Sequence, residues 1–202
     1  KLMGLAPYGN PIYCDKIEKL IDIKNDGTFR LNQSYFNYAT GLTMTNNKFN
    51  NLFGAKPRDP KNEKINQFHM DIACSIQKVT EKIMLQLARS IRKEYNIKNL
   101  CLAGGVALNC VANGKILKEK IFENIWIQPA AGDAGGSLGA ALALWHIEKG
   151  NKRYINPNDD MSGSYLGPSY KQEEIEKELK KLGANFKVLN YEDLINQTSE
   201  KI

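Results

Sequence analysis

Histidine and cysteine are scarce in this chain, and neither follows a local metal-binding or redox spacing. Only His69 and His146 occur among the 202 residues, and the four cysteines include no Cys-x-x-Cys pair. All cysteines except Cys14 lie within apolar patterns, which predicts reduced core thiols in a cytoplasmic protein. No apolar run approaches the ~20 residues of a transmembrane helix, so we expect no membrane partner.

The charged residues are evenly spread along the chain. The net charge is +6, with 25% charged and 42% hydrophobic residues, a composition typical of soluble globular proteins. Lysines are interspersed with acidic residues in segments such as 115–123 and 173–181, which indicates solvated helix faces rather than a nucleic-acid groove. We therefore expect no nucleic-acid partner. The length allows one domain, or one domain and a fragment.

Two stretches share one pattern: a short apolar run, a turn of small residues and a helical segment. The first is Leu100–Ala103 followed by Gly104–Gly105, and the second is Ile125–Ile127 followed by Ala130–Asp133. This repeated order predicts strand–turn–helix units in an open α/β sheet. Ligands bind such sheets beyond the carboxyl ends of the strands, so both turns are candidate binding loops.

The pair Gly104–Gly105 lets a ligand approach the main chain, because glycine lacks a Cβ atom and tolerates positive φ. We expect a helix from Val106 onward whose free N–H groups suit phosphate or ribose oxygens, with Asn109 one turn inside it. The alternative is tight packing of strand on helix without a ligand. In the second turn, Asp133 is either a helix N-cap or a ligand. The glycines around it, beginning with Gly132, indicate a close approach of backbone or ligand.

A long helix is expected to pack across this sheet. Apolar residues recur every three or four positions within Asn62–Tyr95, while Gln77, Glu81 and Arg89 lie on another face. His69, which lies within this helix, is interpreted as a structural histidine rather than a ligand.

Shorter elements complete the prediction. Asp26–Gly27 between two alternating runs predicts a hairpin. Tyr35–Lys61 is interpreted as a surface excursion, for which a packed loop is favoured over a segment that shapes an acceptor pocket. The helix after the glycine pair should direct Ile116 and Leu117 inward. The remaining expectations are a structural role for His146 near a helix C-terminus, a polar linker over Asn151–Gly167, a helix over Gln172–Leu182, a strand over Phe186–Leu189 and a helix from Glu192.

Four segments carry a resemblance to a known family. They read LCLAGGVALN (Leu100–Asn109), IWIQPAAGDAGGSLGAALA (Ile125–Ala143), KLMGLAPYG (Lys1–Gly9) and SYLGPSYKQEEIEKEL (Ser164–Leu179). Together they resemble the carbamoyltransferases that include nodulation-type and antibiotic O-carbamoyltransferases. The transfer domain of that family is similar to the universal tRNA threonylcarbamoyl-transferase domain and belongs to the actin/Hsp70/sugar-kinase (ribonuclease H-like) superfold. The resemblance therefore implies an α/β fold with a mixed sheet flanked by helices, of which this chain is a part.

The resemblance also implies roles for the two turns. In the superfold the glycine turn contacts the adenosine and α-phosphate of a bound nucleotide, which makes Gly104, Gly105, Asn109 and Gly132 the cofactor-binding candidates. Asp133 matches an aspartate that completes a metal site with two upstream histidines, where an Fe(II)-like ion polarises a carbamoyl-adenylate. That histidine pair, spaced His-x-x-x-His, is absent from this sequence, as is the first phosphate-binding hairpin.

The implied activity is ATP-dependent O-carbamoyl transfer. Carbamoyl phosphate and ATP would form a carbamoyl-adenylate, from which the carbamoyl group passes to a hydroxyl of a small-molecule or sugar-like acceptor. Residues 1–150 would correspond to the C-terminal half of the transfer domain, 151–167 to a linker and 168–202 to the start of a YrdC-like domain. We therefore expect an N-terminal portion to be missing, the isolated chain to be inactive, and a homodimer to be possible.

Two other classes stay open, and a third fits less well. A different actin-like ATPase or kinase would keep Gly104–Gly105 but need no metal-binding Asp133, so metal content would separate it from a carbamoyltransferase. A non-enzymatic half-domain would pair with another chain, which sizing alone and with the upstream half would detect. A dinucleotide-binding oxidoreductase fits less well because Gly104-Gly105-Val106 does not make G-x-G-x-x-G.

Overall fold

The computed structural model describes residues 2–156, 158, 161–165 and 167–202. These residues form two compact units, which divide between Arg153 and Tyr154. The α-helices are α1 (Leu2–Leu5), α2 (Cys14–Glu18), α3 (Asn47–Phe53), α4 (Gln67–Tyr95), α5 (Cys110–Lys118), α6 (Asp133–Ala143), α7 (Gln172–Lys181) and α8 (Tyr191–Ser199). The strands are β1 (Ile21–Ile23), β2 (Phe29–Leu31), β3 (Asn99–Leu102) and β4 (Asn124–Ile127). Short 3₁₀ turns lie at Ala6–Tyr8, Gln33–Tyr35, Gly105–Leu108 and Ser162–Ser164, and a π-helical turn, Leu144–Glu148, follows α6.

Helix α4 is the 29-residue element against which the first unit is built. A capping box fixes its start, because the Asn66 side chain accepts from the His69 N–H (3.4 Å) and the Asn66 N–H donates to His69 Nδ1 (3.2 Å). This pair confirms the structural role predicted for His69. Val79 and Ile83 of α4 pack in the main core cluster, where they meet Phe53 of α3.

The N-terminal segment packs along α4 through polar contacts. Gly9 lies so close to α4 that a Cβ atom there would be 2.0 Å from a backbone carbonyl oxygen. The Asn10 N–H donates to Asp71 Oδ1 (2.8 Å), and the Tyr13 N–H donates to Ser75 Oγ (3.0 Å). Asp71 and Ser75 are buried, so these bonds satisfy polar groups that are costly to leave unpaired.

Strands β1 and β2 form the predicted antiparallel hairpin, in which Asp22 pairs with Arg30. Gly27 at its turn adopts a φ of +86°, and a Cβ atom there would be 2.5 Å from a backbone nitrogen of α4. Any side chain at this position would be strained for both reasons, which explains the glycine.

The segment Tyr35–Lys61, predicted as a surface excursion, is only partly a surface loop. It contains α3, which Asn46 caps at its start and Gly54 ends with a φ of +73°. The rings of Phe49 and Phe53 pack in a tilted arrangement with centroids 4.8 Å apart, and Phe53 is buried in the core. The segment is thus packed, as was favoured, but its helix was not predicted because the many Asn and Thr residues conceal two aromatic residues spaced one helical turn apart.

Strands β3 and β4 pair in parallel over four residue pairs. Helices α4 and α5 pack against them as predicted, and Ile116, 1% exposed, forms a second cluster with Ala88 and Phe122. Leu117, predicted to point inward, is 56% exposed. That prediction was wrong because adjacent residues of a helix point in different directions, and Ile116 is the one that faces the second cluster. The α/β class is confirmed, but helices predominate and each sheet of the described residues has two strands.

The predicted core thiols are confirmed only in part. All four cysteines are free, with Cys14 and Cys74 half-buried and Cys101 and Cys110 exposed. Cys101 alternates with the inward leucines of β3 and therefore lies on the face of the strand away from α4. Cys101 has apolar neighbours in sequence because it lies in a strand that has one packed face, but its own side chain lies on the exposed face.

The second unit contains α7 and α8, whose bounds are close to those of the two predicted helices. Gly183 follows α7 with a φ of +66°. Phe186–Leu189 was wrongly predicted as a strand: it is irregular, because the described part of this unit offers no strand to pair with it. Of the predicted linker Asn151–Gly167, positions 157, 159, 160 and 166 lie outside the described residues.

Candidate functional site

The first turn begins where β3 ends. Gly104 adopts a φ of +98°, a 3₁₀ turn follows over Gly105–Leu108, and α5 begins at Cys110. Asn109 is therefore the N-cap of α5 rather than a residue one turn inside it, and its Oδ1 accepts from the Ala112 N–H (3.1 Å). The predicted continuous helix from Val106 was wrong because the Asn109 side chain competes for the N–H groups that would continue it.

The second turn leads from β4 into α6. The N-cap of α6 is Gly132, and Asp133 is the first helical residue. Asp133 is exposed, and among the described residues its carboxylate has no hydrogen bond or ion pair. Asp133 is thus not the N-cap, although its charge still favours this end of the helix dipole.

One backbone hydrogen bond joins the two turns. The Gly104 N–H donates to the Ala131 carbonyl oxygen at 2.7 Å, which places both candidate loops at the same edge of the parallel sheet. At Gly135 a Cβ atom would be 2.1 Å from the Ala130 carbonyl oxygen, so glycine is needed there for packing. At Gly104, Gly105 and Gly132, by contrast, a Cβ atom would meet no neighbouring atom within 4 Å.

A polar cluster beneath the first turn escaped the sequence analysis. Gln77 and Glu81 are buried at the contact between α4 and α5, although they were predicted on a face away from the core. Gln77 Nε2 donates to Asn109 Oδ1 (3.1 Å) and to Glu81 Oε1 (3.0 Å), while Asn109 Nδ2 donates to Gln77 Oε1 (2.9 Å). Lys115 Nζ donates to Glu81 Oε2. The small residues Ala73 and Ala88, which share the buried part of α4 with this pair, indicate close packing on this face but not the pairing of its polar residues.

The charge state of Glu81 follows from its surroundings. Burial alone would raise the pKa of this carboxyl. The hydrogen bonds from Lys115 and Gln77, aided by the positive charges of Lys115 and Lys78, outweigh burial and hold the pKa of Glu81 below its ordinary 4.5. Glu81 is therefore a carboxylate at neutral pH.

Asn113, in α5, supports the 3₁₀ turn that precedes this helix. It is buried, and its Nδ2 donates to the Ala107 carbonyl oxygen at 2.6 Å. The Asn113 Oδ1 atom is buried without a hydrogen-bond partner in the described part of the chain. The turn is thus held from below by Asn113 and Asn109, and to the side by the bond to Ala131.

The described residues do not form a metal site by themselves. No group of three or more His, Cys, Asp or Glu side chains lies close enough among them to hold an ion, so Asp133 would be a single ligand. His146 has a structural role as predicted, with Nδ1 lying 3.0 Å from the Asn151 carbonyl oxygen. No helix of the described residues is long and apolar enough to cross a membrane.

Comparison with known proteins decides the family. Residues 1–142 match the family described as "Carbamoyltransferase N-terminus". The chain belongs to the carbamoyltransferase family. This confirms the resemblance carried by the two turn motifs.

Similar proteins include both nodulation proteins and a cyanobacterial protein. An uncharacterized protein of Synechocystis sp., sll1178, is 62% identical over 89% of this chain and 29% of its own length. Nodulation protein NolNO of Sinorhizobium fredii is 33% identical over 100% of the chain and 28% of its own length. Nodulation protein NolO of Bradyrhizobium diazoefficiens is 32% identical over 99% of the chain and 34% of its own length. The chain therefore spans about a third of these relatives or less.

Proposed function

We propose that this carbamoyltransferase-family chain is part of an ATP-dependent O-carbamoyltransferase. The carbamoyl group would come from carbamoyl phosphate through a carbamoyl-adenylate and pass to a hydroxyl of a small-molecule or sugar-like acceptor. The observation that carries the proposal is the pair of strand–turn–helix units joined through Gly104 and Ala131. Their open glycine positions lie within the residues that match the family.

The glycine turn is proposed as the nucleotide-binding element. The space around the Cβ positions of Gly104, Gly105 and Gly132 is free of protein atoms, as a backbone that receives a ligand requires. The N-terminus of α5 follows within a few residues and offers N–H donors and the positive end of a helix dipole to phosphate oxygens. ATP would supply the leaving group that activates the carbamoyl carbon, while these residues bind and orient it.

Asp133 is proposed as one carboxylate ligand of a divalent metal, Fe(II) by resemblance. The described residues alone do not fit a metal ion, so the other ligands would have to come from outside the part of the chain that the structure describes. By the same resemblance, residues 1–150 are proposed as the C-terminal half of the transfer domain in the actin-like superfold. Residues 168–202 are proposed as the start of the YrdC-like domain.

The decisive experiment replaces Gly105, whose conformation accepts a side chain and whose surroundings leave room for one. In a protein of the relatives' length that contains this chain, hereafter the whole protein, we expect Gly105→Val to weaken binding of a non-hydrolysable ATP analogue at least tenfold. The thermal unfolding midpoint should stay nearly unchanged, because the added methyl groups meet ligand rather than protein. Binding is measured by isothermal titration calorimetry.

Gly114→Val is the matched control. Gly114 lies in α5, its Cβ position is equally open, and it is away from the turn. This variant should bind the analogue as the wild-type protein does. A folded Gly105→Val variant with wild-type affinity would remove the nucleotide role from the turn.

A further inference from the structure

The Asn109 amide is nearly saturated by the protein itself. Its Oδ1 accepts two hydrogen bonds, from the Ala112 N–H and from Gln77 Nε2, both at 3.1 Å. An amide oxygen has two lone pairs, so no acceptor capacity is left. Its Nδ2 donates one hydrogen bond, to Gln77 Oε1 at 2.9 Å, and so keeps one N–H group free. Asn109 can therefore offer a ligand a donor but not an acceptor.

Two fixed groups set the orientation of this amide. The Ala112 backbone N–H can only donate, so Oδ1 rather than Nδ2 must face it. At the other end, the Glu81 carboxylate can only accept, so Gln77 must present Nε2 to it (3.0 Å). The two side-chain amides are then locked in a reciprocal pair. Neither can flip without placing a donor against a donor or an acceptor against an acceptor.

Lys115 completes this chain of contacts. It binds the Glu81 oxygen that Gln77 leaves unused, so both carboxylate oxygens are engaged. Glu81 is 5% exposed, and a buried carboxylate without these partners would be costly. The contacts thus run from Lys115 of α5 through Glu81 and Gln77 of α4 to Asn109, the N-cap of α5.

We propose that Gln77 and Glu81 are positioning residues for the nucleotide turn: they hold Asn109 so that its one free N–H faces outward as a hydrogen-bond donor. This inference rests on the proposed function, since it takes the glycine turn as the nucleotide site. It adds two residues of α4 that do not belong to the turn. It also specifies the chemistry, because the ligand atom that meets Asn109 must be an acceptor oxygen, such as a ribose hydroxyl or phosphate oxygen.

The test measures binding of the non-hydrolysable ATP analogue to the whole protein. Gln77→Met keeps the side-chain length but cannot pair with Asn109, and we expect it to weaken binding about tenfold, the factor for one lost hydrogen bond. Asn109→Ser keeps an N-cap oxygen but removes the amide, and should weaken binding to a similar degree. The double variant should bind no more weakly than Asn109→Ser alone, because Gln77 acts only through Asn109.

Gln86→Met on the same helix is the matched control. The Gln86 Oε1 atom has no hydrogen-bond partner among the described residues, so its replacement should leave analogue binding unchanged. If Gln77→Met does not fold, Glu81→Gln carries the same test, since it keeps the shape but has one acceptor oxygen where Gln77 and Lys115 use two, which weakens the anchor of the Gln77 amide.

The outcomes separate the two proposals. Additive losses from Gln77→Met and Asn109→Ser would overturn the positioning role, since a purely structural effect does not depend on Asn109. Wild-type binding by Gln77→Met, with weakened binding by Gly105→Val, would overturn the positioning role alone. Wild-type binding by Gly105→Val would instead overturn the proposed function.

Discussion

At the scale of single residues, the glycines in and just after the two turns fall into three groups, of which two are constrained by the fold and one is not. Gly104 needs its φ of +98°, and Gly135 needs to approach the Ala130 carbonyl oxygen. Gly105 and Gly132 have neither constraint. A substitution at Gly104 or Gly135 therefore perturbs the fold, whereas one at Gly105 probes whatever occupies the space in front of the turn.

Asp133 allows a test of the metal proposal at the same scale. Because it is exposed, has no partner in the described structure and is not the N-cap, Asp133→Asn should change the free energy of unfolding by less than about 1 kcal/mol. In the whole protein, the same change should lower bound metal and carbamoyl transfer at least tenfold. Elemental analysis and a transfer assay measure the two effects.

Asp15→Asn is the control for that experiment. Asp15 is also an exposed aspartate in the first turn of a helix, α2, so the substitution removes the same charge from an equivalent position. It should leave metal content and transfer unchanged. Wild-type metal content and activity in Asp133→Asn would show that the carboxylate serves only the helix.

The sequence could predict the turns but not the polar cluster beneath them. Gly104, Gly105 and Asp133 stand in local patterns that physical rules interpret directly. Gln77 and Asn109 are 32 positions apart, and nothing local to Gln77 indicates that it pairs with another amide. The periodicity of α4 identified its apolar stripe, but whether a polar residue is buried depends on the element that packs over it.

At the scale of elements, α4 uses two faces for two different kinds of contact. One face carries Val79 and Ile83 into the main cluster with α2 and α3. The other carries Gln77 and Glu81 toward α5, while Ala88 allows Phe122 and Ile116 to approach. The helix therefore links the hydrophobic core to the candidate site.

Two adjacent residues of α5 test this packing. Ile116→Ala should destabilise the fold by about 2–5 kcal/mol, because Ile116 is 1% exposed and its truncation leaves a cavity between α4 and the sheet. Leu117→Ala should cost less than about 0.5 kcal/mol, because that side chain is mostly exposed. Urea unfolding of both variants measures the difference. Equal costs would contradict the orientation of α5.

Elements with strong local signals were predicted well, and those that depend on distant partners were not. The hairpin, β3, β4 and α4 follow from alternation, turn residues and periodicity. The mistaken strand at Phe186–Leu189 shows the limit, since an apolar run becomes a strand only if a neighbour pairs with it. Helix α5 begins later than predicted because the Asn109 side chain caps it, and the apolar periodicity of the sequence gives no sign of such a cap.

At the scale of the whole molecule, the first unit exposes much apolar surface around α6. Leu142, Trp145 and Ile147 are each about half exposed or more, and Trp126 of β4 is 50% exposed. Exposed apolar residues are ordinary when they are scattered singly, whereas Leu142, Trp145 and Ile147 follow one another along one segment, as is typical of a surface that another protein segment covers. We therefore predict that this surface drives self-association of the isolated chain.

The isolated chain is therefore expected to be inactive and to self-associate. Its described residues offer one candidate metal ligand, whereas the family site by resemblance uses three, so tight metal binding is not expected. The purified chain is assayed with carbamoyl phosphate, ATP, ferrous ion and a panel of hydroxyl acceptors, and its mass is followed by light scattering over a concentration series. Metal- and Asp133-dependent turnover, or a monomer at all concentrations, would contradict this prediction.

The bond between the Gly104 N–H and the Ala131 carbonyl has a consequence for how this protein can evolve. Both partners are main-chain groups, so the bond does not depend on the chemistry of the side chain at position 131, whose small size is set by its burial. An insertion or deletion in either loop, by contrast, would shift one partner away from the other. Selection should therefore act on the number of residues in each loop as well as on the small size of residue 131, and natural length variation should accumulate elsewhere in the chain.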